Sequence, residues 1–298
     1  MSVPGASIAD LPHALADHEV LREHLAGRRP AVFLDYDGTL TPIVDRPEDA
    51  VISESMRDAV RGLAVRCTVC VVSGRDRPVV QTLMGVDDLV VAGSHGFDIW
   101  SPEGGAIEHQ AAAGSEALLD RVTARLRDEL DSIEGALVEP KKASVAAHYR
   151  LVSEEERPAV EAVVERLLAD HAEELKVTPG KMVYELQPKL DWDKGKAVLY
   201  LLDALDLERD AVPFYVGDDI TDEHAFEALS GRGIGVFVGR ADDPEVGGRT
   251  TAADFVLDST EEVERFLDTL ARRARRSGPP LSARLATGPR LSRQTALR

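Results

Sequence analysis

The hexapeptide Asp35-Tyr36-Asp37-Gly38-Thr39-Leu40 places two carboxylates two residues apart, directly after the apolar run Ala31-Val32-Phe33-Leu34. Like charges that close repel, and one carboxyl is pushed toward its neutral form unless a cation holds both. A second acidic cluster, Gly217-Asp218-Asp219-Ile220-Thr221-Asp222-Glu223, follows another strand-like run, Val212-Pro213-Phe214-Tyr215-Val216. Two strand ends that carry carboxylates suit one oxygen-rich site for a hard divalent cation. Two further polar pieces have the same setting. Ser73-Gly74-Arg75 follows the run ending in Val72, and Lys194 stands at a helix start within Asp191-Trp192-Asp193-Lys194-Gly195-Lys196. In open α/β sheets, ligands bind at the carboxyl ends of strands, so the four pieces are expected to converge on one crevice. Together they are the parts of a phosphoryl-transfer site. An aspartate can attack phosphorus and form an acyl phosphate. A second carboxylate can protonate the leaving oxygen and then activate water. A cation and a lysine neutralise the charge that develops. Ser73 and the backbone N–H groups of the Asp37-Gly38-Thr39 turn are suited to donate to phosphoryl oxygens.

These pieces need a scaffold of alternating strands and helices. Short apolar runs at 31–35, 68–72, 89–93, 212–216, 233–238 and 254–257 predict strands. Amphipathic stretches at 53–65, 76–84, 194–205, 221–229 and 259–275 predict the helices between them. The order predicts an α/β fold, a doubly wound and mainly parallel sheet covered on both faces. The middle of the chain has another rhythm: helix 115–131, strands 136–139 and 143–149, helix 154–171, strands 174–178 and 182–187. This repeated helix-then-hairpin order predicts an α+β cap over 109–188, inserted between core segments 28–108 and 189–270. Gly104-Gly105 and Pro188-Lys189 are the expected hinges. Residues 1–27 are expected to form a helical extension, with the helix over 8–26.

Composition narrows the class. The chain has 298 residues, 44% of them hydrophobic, and a net charge of −18, which disfavours nucleic acid as a partner. No apolar run approaches the about 20 residues that span a membrane, and the N-terminus shows no signal pattern. Cys67 and Cys70 lie in the apolar run Cys67-Thr68-Val69-Cys70-Val71-Val72 and read as small buried residues. A cytoplasmic setting is the expectation. From Ala271 onward there is no acid, and arginines recur to Arg298, so 271–298 reads as a basic, disordered tail.

The ordered set Asp-x-Asp-Gly-Thr, a serine after a strand, Lys-Gly at a helix start and Gly-Asp-Asp-x-x-Asp resembles the haloacid dehalogenase-like phosphohydrolases, over roughly 28–270. The resemblance implies Asp35 as nucleophile, Asp37 as general acid and base, and Ser73 and Lys194 as holders of the phosphoryl group. It implies Mg²⁺ on the Asp35 side chain, the Asp37 backbone carbonyl and Asp218. Asp222 is a metal-water ligand or a partner of Lys194, and Asp219 competes for the outer-shell position. Several segments resemble trehalose 6-phosphate phosphatases more narrowly. They are Val72-Ser73-Gly74-Arg75-Asp76, Ala92-Gly93-Ser94-His95-Gly96, Glu139-Pro140-Lys141-Lys142 with His148-Tyr149-Arg150, and Gly180-Lys181-Met182-Val183-Tyr184-Glu185. That likeness implies Glu139, Lys141 and Glu185 as sugar contacts, with Lys181 beside them. Gly38, Thr39, Gly74, Arg75 and His95 are expected to line the pocket from the core side. The implied activity is Mg²⁺-dependent hydrolysis of trehalose 6-phosphate through an aspartyl phosphate. The implied partners are a sugar phosphate and, as a possible association, a trehalose-phosphate synthase. The alternatives are a phosphatase for sucrose phosphate or a glucosyl-glycerate phosphate, and a non-catalytic partner of that synthase.

Overall fold

The computed structural model describes residues 5–16, 23–25, 28–102, 105–107, 115–180, 182–244, 246 and 248–274. In chain order the strands are β1 (Ala6–Ser7), β2 (Arg29–Leu34), β3 (Thr68–Val72), β4 (Val90–Gly93), β5 (Asp98–Ser101), β6 (Gly105–Ile107) and β7 (Leu137–Pro140). They continue with β8 (Val145–His148), β9 (Leu175–Gly180), β10 (Val183–Pro188), β11 (Ala211–Gly217), β12 (Ile234–Val238), β13 (Thr250–Thr251) and β14 (Phe255–Leu257). The helices are α1 (Glu54–Ala64), α2 (Arg77–Met84), α3 (Glu116–Leu130), α4 (Arg157–Asp170), α5 (Lys194–Ala204), α6 (Glu223–Leu229) and α7 (Thr260–Arg273).

The main sheet runs β14-β12-β11-β2-β3-β4-β5-β6. Its first six strands are parallel, and β5 and β6 add an antiparallel edge. Alternation along β2 splits the core in two. Val32 and Leu34 join the layer with α1 and α7, whereas Ala31 and Phe33 join the layer with α5 and α6. A strand buried on both faces reads as a continuous apolar run, as β2, β3 and β11 do. Register then sets the site. Leu34 is opposite Val216 on one side and Val71 on the other. The chain therefore leaves the sheet at Asp35, Asp218 and Ser73 side by side.

A second, antiparallel sheet runs β7-β8-β10-β9, with α3 and α4 packed on one face through Val122, Leu126, Val145, Ala147, Val164 and Leu186. On its other face one cross-strand row reads Glu139, Ala146, Glu185, Thr178. Period-two alternation puts these four on the side away from the helices.

Over 8–16 the N-terminal stretch departs from the helix expected over 8–26, whereas 23–25 are helical and 17–22 and 26 lie outside the described residues. Ala6–Ser7 pairs with Thr250–Thr251, Ile8–Asp10 forms a single 3₁₀ turn, and His13 bridges to Val256. Pro12 explains the break: it lacks an N–H and biases Leu11 toward the extended ψ of 141° that it adopts. Strands β5 and β6 were not anticipated. Asp222 ends a 3₁₀ turn, Ile220–Asp222, before α6 begins. From 275 onward the expected basic tail lies outside the described residues, as does Lys181. Among the described residues no helix is long and apolar enough to cross a membrane.

Candidate active site

Asp35 stands just past the end of the central strand, with its N–H bonded to the Val216 carbonyl at 2.9 Å. It is 5% exposed. Burial, and then the Asp222 carboxylate, push its carboxyl well above the usual range, with Lys194 offsetting part of the effect. Lys194 is the cation that reaches it, with Nζ 3.0 Å from Asp35 Oδ1 and 2.7 Å from Asp222 Oδ1. Burial alone would weaken that ammonium, but Asp222 and Asp35 outweigh it and keep it charged. Lys196 instead pairs with Asp191 at the surface.

Two local features put Lys194 there. Asp193 caps α5 by accepting the Lys196 N–H at 2.9 Å, so Lys194 occupies the first helical position. The next residue, Gly195, has no side chain to hold α5 off the His224 backbone, where a Cβ would collide. The close approach of α5 to α6 is what brings Lys194 onto Asp222.

Asp222 is fully buried, and both of its oxygens are engaged. Oδ1 accepts from Lys194 and from the Tyr215 hydroxyl, both at 2.7 Å. Oδ2 accepts the Asp218 and Asp219 N–H groups at 2.9 and 2.8 Å. Burial and the Asp222 and Asp35 carboxylates push the Tyr215 phenol well above its usual value, so its hydroxyl remains a donor. Asp219 caps the 3₁₀ turn through Ile220 N–H.

The residues present fit a divalent cation. Asp35, Asp218 and Asp222 offer buried carboxylate oxygens within 4.8 Å of one another, against one ammonium. Asp218 also accepts from the Thr39 hydroxyl at 3.3 Å. Gly38, at φ +76°, leaves the space beside the Asp218 carboxylate that a Cβ would fill. Asp35 and Asp218 are the better placed ligands, because four donors already surround Asp222. A divalent cation would balance this excess of buried negative charge.

Asp37 lies at the cleft wall in a fork with Arg75, whose Nε and Nη2 donate to its two oxygens at 2.6 Å each. Arg75 also donates to the Pro47 carbonyl at 2.7 Å and lies over the Tyr36 ring. Ser73 is buried, and its Oγ accepts the Arg75 N–H at 3.1 Å. Gly38, Thr39 and Ser73 are not among the residues that line the cleft, whereas Gly74 lines it beside the His95 ring.

The opposite wall is the polar row of the second sheet. Glu139 accepts from His148 at 2.8 Å. Burial would raise its carboxyl, but His148, Lys141 and Arg75 together hold it below the usual range. Glu185 is met by Ser144 at 2.5 Å, Lys141 at 3.1 Å and, from the core side, His95 at 3.3 Å. Burial raises Glu185, but these partners outweigh it and hold the carboxyl far below its usual value. His95 is in the left-handed region at φ +56°, a costly conformation for a non-glycine residue. Asp76 joins the walls again, since its Oδ1 accepts from the Ser94 hydroxyl and from the Lys142 N–H.

A family model described as trehalose-phosphatase matches residues 33–261, a span that takes in every one of these side chains. The chain belongs to that family. A trehalose-phosphate phosphatase of Mycobacterium tuberculosis is 42% identical over 265 residues, 88% of this chain and 66% of the relative. An uncharacterised glycosyl hydrolase of the same organism is 44% identical over 275 residues, 89% of this chain but 20% of that protein. The chain therefore spans less than two thirds of either relative's length. Among solved structures, the C-terminal domain of a C. albicans trehalose-6-phosphate phosphatase superposes with a TM-score of 0.75 at 22% identity. The match covers 88% of this chain and 99% of that one, and it speaks to the fold. In this trehalose-phosphatase family member, residues to which the motifs assigned no role also stand at the site. Asp45, His148, Arg150 and Thr178 line the cleft, and Tyr215 bonds Asp222. Tyr215 alone had a legible signal, because a phenol inside a fully buried parallel strand must find a partner.

Proposed function

We propose that this chain hydrolyses trehalose 6-phosphate to trehalose and phosphate through a phospho-Asp35 intermediate. The observation that carries the reading is the pairing of walls. A Lys194-held aspartate at the end of the central strand faces a row of cap carboxylates across one cleft. In this reading 109–188 is the cap, and 28–108 with 189–270 is the core. Asp35 Oδ attacks phosphorus, and the sugar oxygen departs with a proton from Asp37. Asp37 then takes a proton from water, which attacks the same phosphorus and frees Asp35. The Arg75 fork engages both Asp37 oxygens, so Asp37 must release at least one of them to act as acid. Lys194 steadies Asp35 and neutralises a phosphoryl oxygen, and Ser73 donates a hydrogen bond to another. Mg²⁺ would be held by Asp35, Asp218 and the Asp37 carbonyl, with Asp222 behind them, and supplies charge neutralisation when bound.

Glu139, Lys141 and Glu185 read the sugar, each able to make several hydrogen bonds to hydroxyls. Lys181 and His95 are assigned beside them. We place the activity in the cytoplasm. A trehalose-phosphate synthase is proposed as a protein partner on chemical grounds, since its product is this substrate, and co-purification tests it.

The experiment is phosphate release with and without Mg²⁺ from trehalose 6-phosphate, sucrose 6-phosphate, glucose 6-phosphate and a glucosyl-glycerate phosphate. We expect an Mg²⁺-dependent preference of 10²-fold or more in kcat/KM for trehalose 6-phosphate, roughly 2.7 kcal/mol of discrimination. Glu139→Ala and Glu185→Ala should lose that preference while retaining hydrolysis of a small aryl phosphate. A flat profile, or preference for another sugar, would discard the sugar assignment and keep the phosphatase core.

A further inference from the structure

We infer that Tyr215 is a positioning residue for phosphoryl transfer: its hydroxyl aims Asp222, and Asp222 sets Lys194 against Asp35. The inference rests on the phosphatase reading above and adds to it a residue that touches neither substrate nor cation.

Three segments meet at Asp222. The loop after β11 supplies two backbone N–H groups to Oδ2, at 2.9 and 2.8 Å. These pin one oxygen and leave the carboxylate free to pivot about it. The direction of Oδ1 is then decided by its own two donors, Lys194 from α5 and Tyr215 from β11. The lysine is the long, rotatable group of the pair. Tyr215 is the rigid one: its backbone is in register with Phe33 of β2 and Gly235 of β12, and its ring meets Phe226 edge-on at 5.7 Å. The hydroxyl thus refers the position of Oδ1 to the central sheet, the same frame that carries Asp35.

Lys194 divides its donors between Asp222 at 2.7 Å and Asp35 at 3.0 Å. Without the Tyr215 hydroxyl, Oδ1 has an unused lone pair in a buried site. The ammonium is then drawn further onto Asp222 and away from Asp35. The nucleophile loses its aim, and the phosphoryl group loses part of its positive partner. The cost falls on the chemical step and is independent of the sugar, because the cap contacts are untouched.

The test is Tyr215→Phe, which keeps the ring and its contact with Phe226. Steady-state kinetics with Mg²⁺ would use trehalose 6-phosphate and p-nitrophenyl phosphate, with thermal unfolding measured in parallel. We expect kcat to fall about tenfold or more on both substrates with KM within about twofold. We expect Tyr215→Phe added to Asp222→Asn to cost nothing beyond Asp222→Asn alone, because residues acting through one group are not additive. A kcat equal to wild type, a loss confined to one substrate, or additive losses in the double variant would each overturn the inference. A Tyr215→Phe chain that failed to fold would overturn it as well, in favour of a purely structural hydroxyl. A wild-type chain inactive toward both substrates would instead sink the phosphatase reading, and this inference with it.

Discussion

Replacing Asp35, the proposed nucleophile, should make the metal-free protein more stable while ending its turnover. Asp35, Asp218 and Asp222 hold carboxylate oxygens within 4.8 Å of one another, and Lys194 lies 3.0 Å from Asp35. With an effective dielectric constant of about 20, each of the two repulsions on Asp35 is at least about 3.5 kcal/mol, and the attraction to Lys194 is about 5.5 kcal/mol. The balance opposes the Asp35 charge by about 1.5 kcal/mol before its desolvation is added. Asp35→Asn keeps the shape and a lone pair for Lys194, which also retains Asp222. In EDTA at pH 8 we expect the variant to be more stable by about 1–3 kcal/mol, a rise in Tm of roughly 2–10 °C. Saturating Mg²⁺ should shrink or invert that difference, because the cation stabilises the cluster that has its full charge. The assay is thermal unfolding of both proteins in EDTA and in Mg²⁺, with phosphate release measured alongside. An Asp35→Asn protein less stable than wild type in EDTA would refute the charge argument. Wild-type turnover, with deamidation excluded by mass spectrometry, would refute the nucleophile.

Gly38→Ala places a Cβ against the Asp218 carboxylate and strains a backbone at φ +76°. The Mg²⁺ concentration for half-maximal activity should rise about tenfold or more, with about 1–2 kcal/mol lost in stability, and a Mg²⁺ titration checks it. Glu185→Gln should cost about 2 kcal/mol at pH 7, as a buried charge-assisted network is weakened. The folded-state pKa of Glu185 is depressed below its ordinary 4.5, so its stabilising contribution is present above that value and is lost as pH falls below it. Urea denaturation at several pH values should therefore show the gap between wild type and Glu185→Gln closing as the solution is acidified below about pH 4.5; a constant gap would contradict it.

The strands that carry the motifs were legible because β2, β3 and β11 are buried on both faces and are written as unbroken apolar runs. The polar residue that ends each run marks where the chain leaves the sheet. The order of helices and hairpins in the second sheet was legible for a related reason, a change of hydrophobic period. The N-terminal stretch misled over 8–16, where a helix-like spacing was outweighed by Pro12 and by pairing of the segment with β13 and Val256. The antiparallel edge, β5 and β6, was missed because three- and four-residue strands carry almost no period.

Residue type and spacing thus determined which groups are proposed to do chemistry here, since the carboxylates and serine sit at strand ends and the lysine at a helix start. Tertiary structure alone decided how they are shared. The contact of Lys194 with both Asp35 and Asp222 depends on how closely α5 can approach the backbone at His224. The commitment of Asp222 to Lys194, Tyr215 and two N–H groups depends on three segments meeting. The row Glu139, Ala146, Glu185 and Thr178 depends on the register of four strands, and the contact of Glu185 with His95 on how the two sheets face each other. These are long-range contacts, and a linear pattern records only the local preferences of the chain, not the distances between segments that folding brings together.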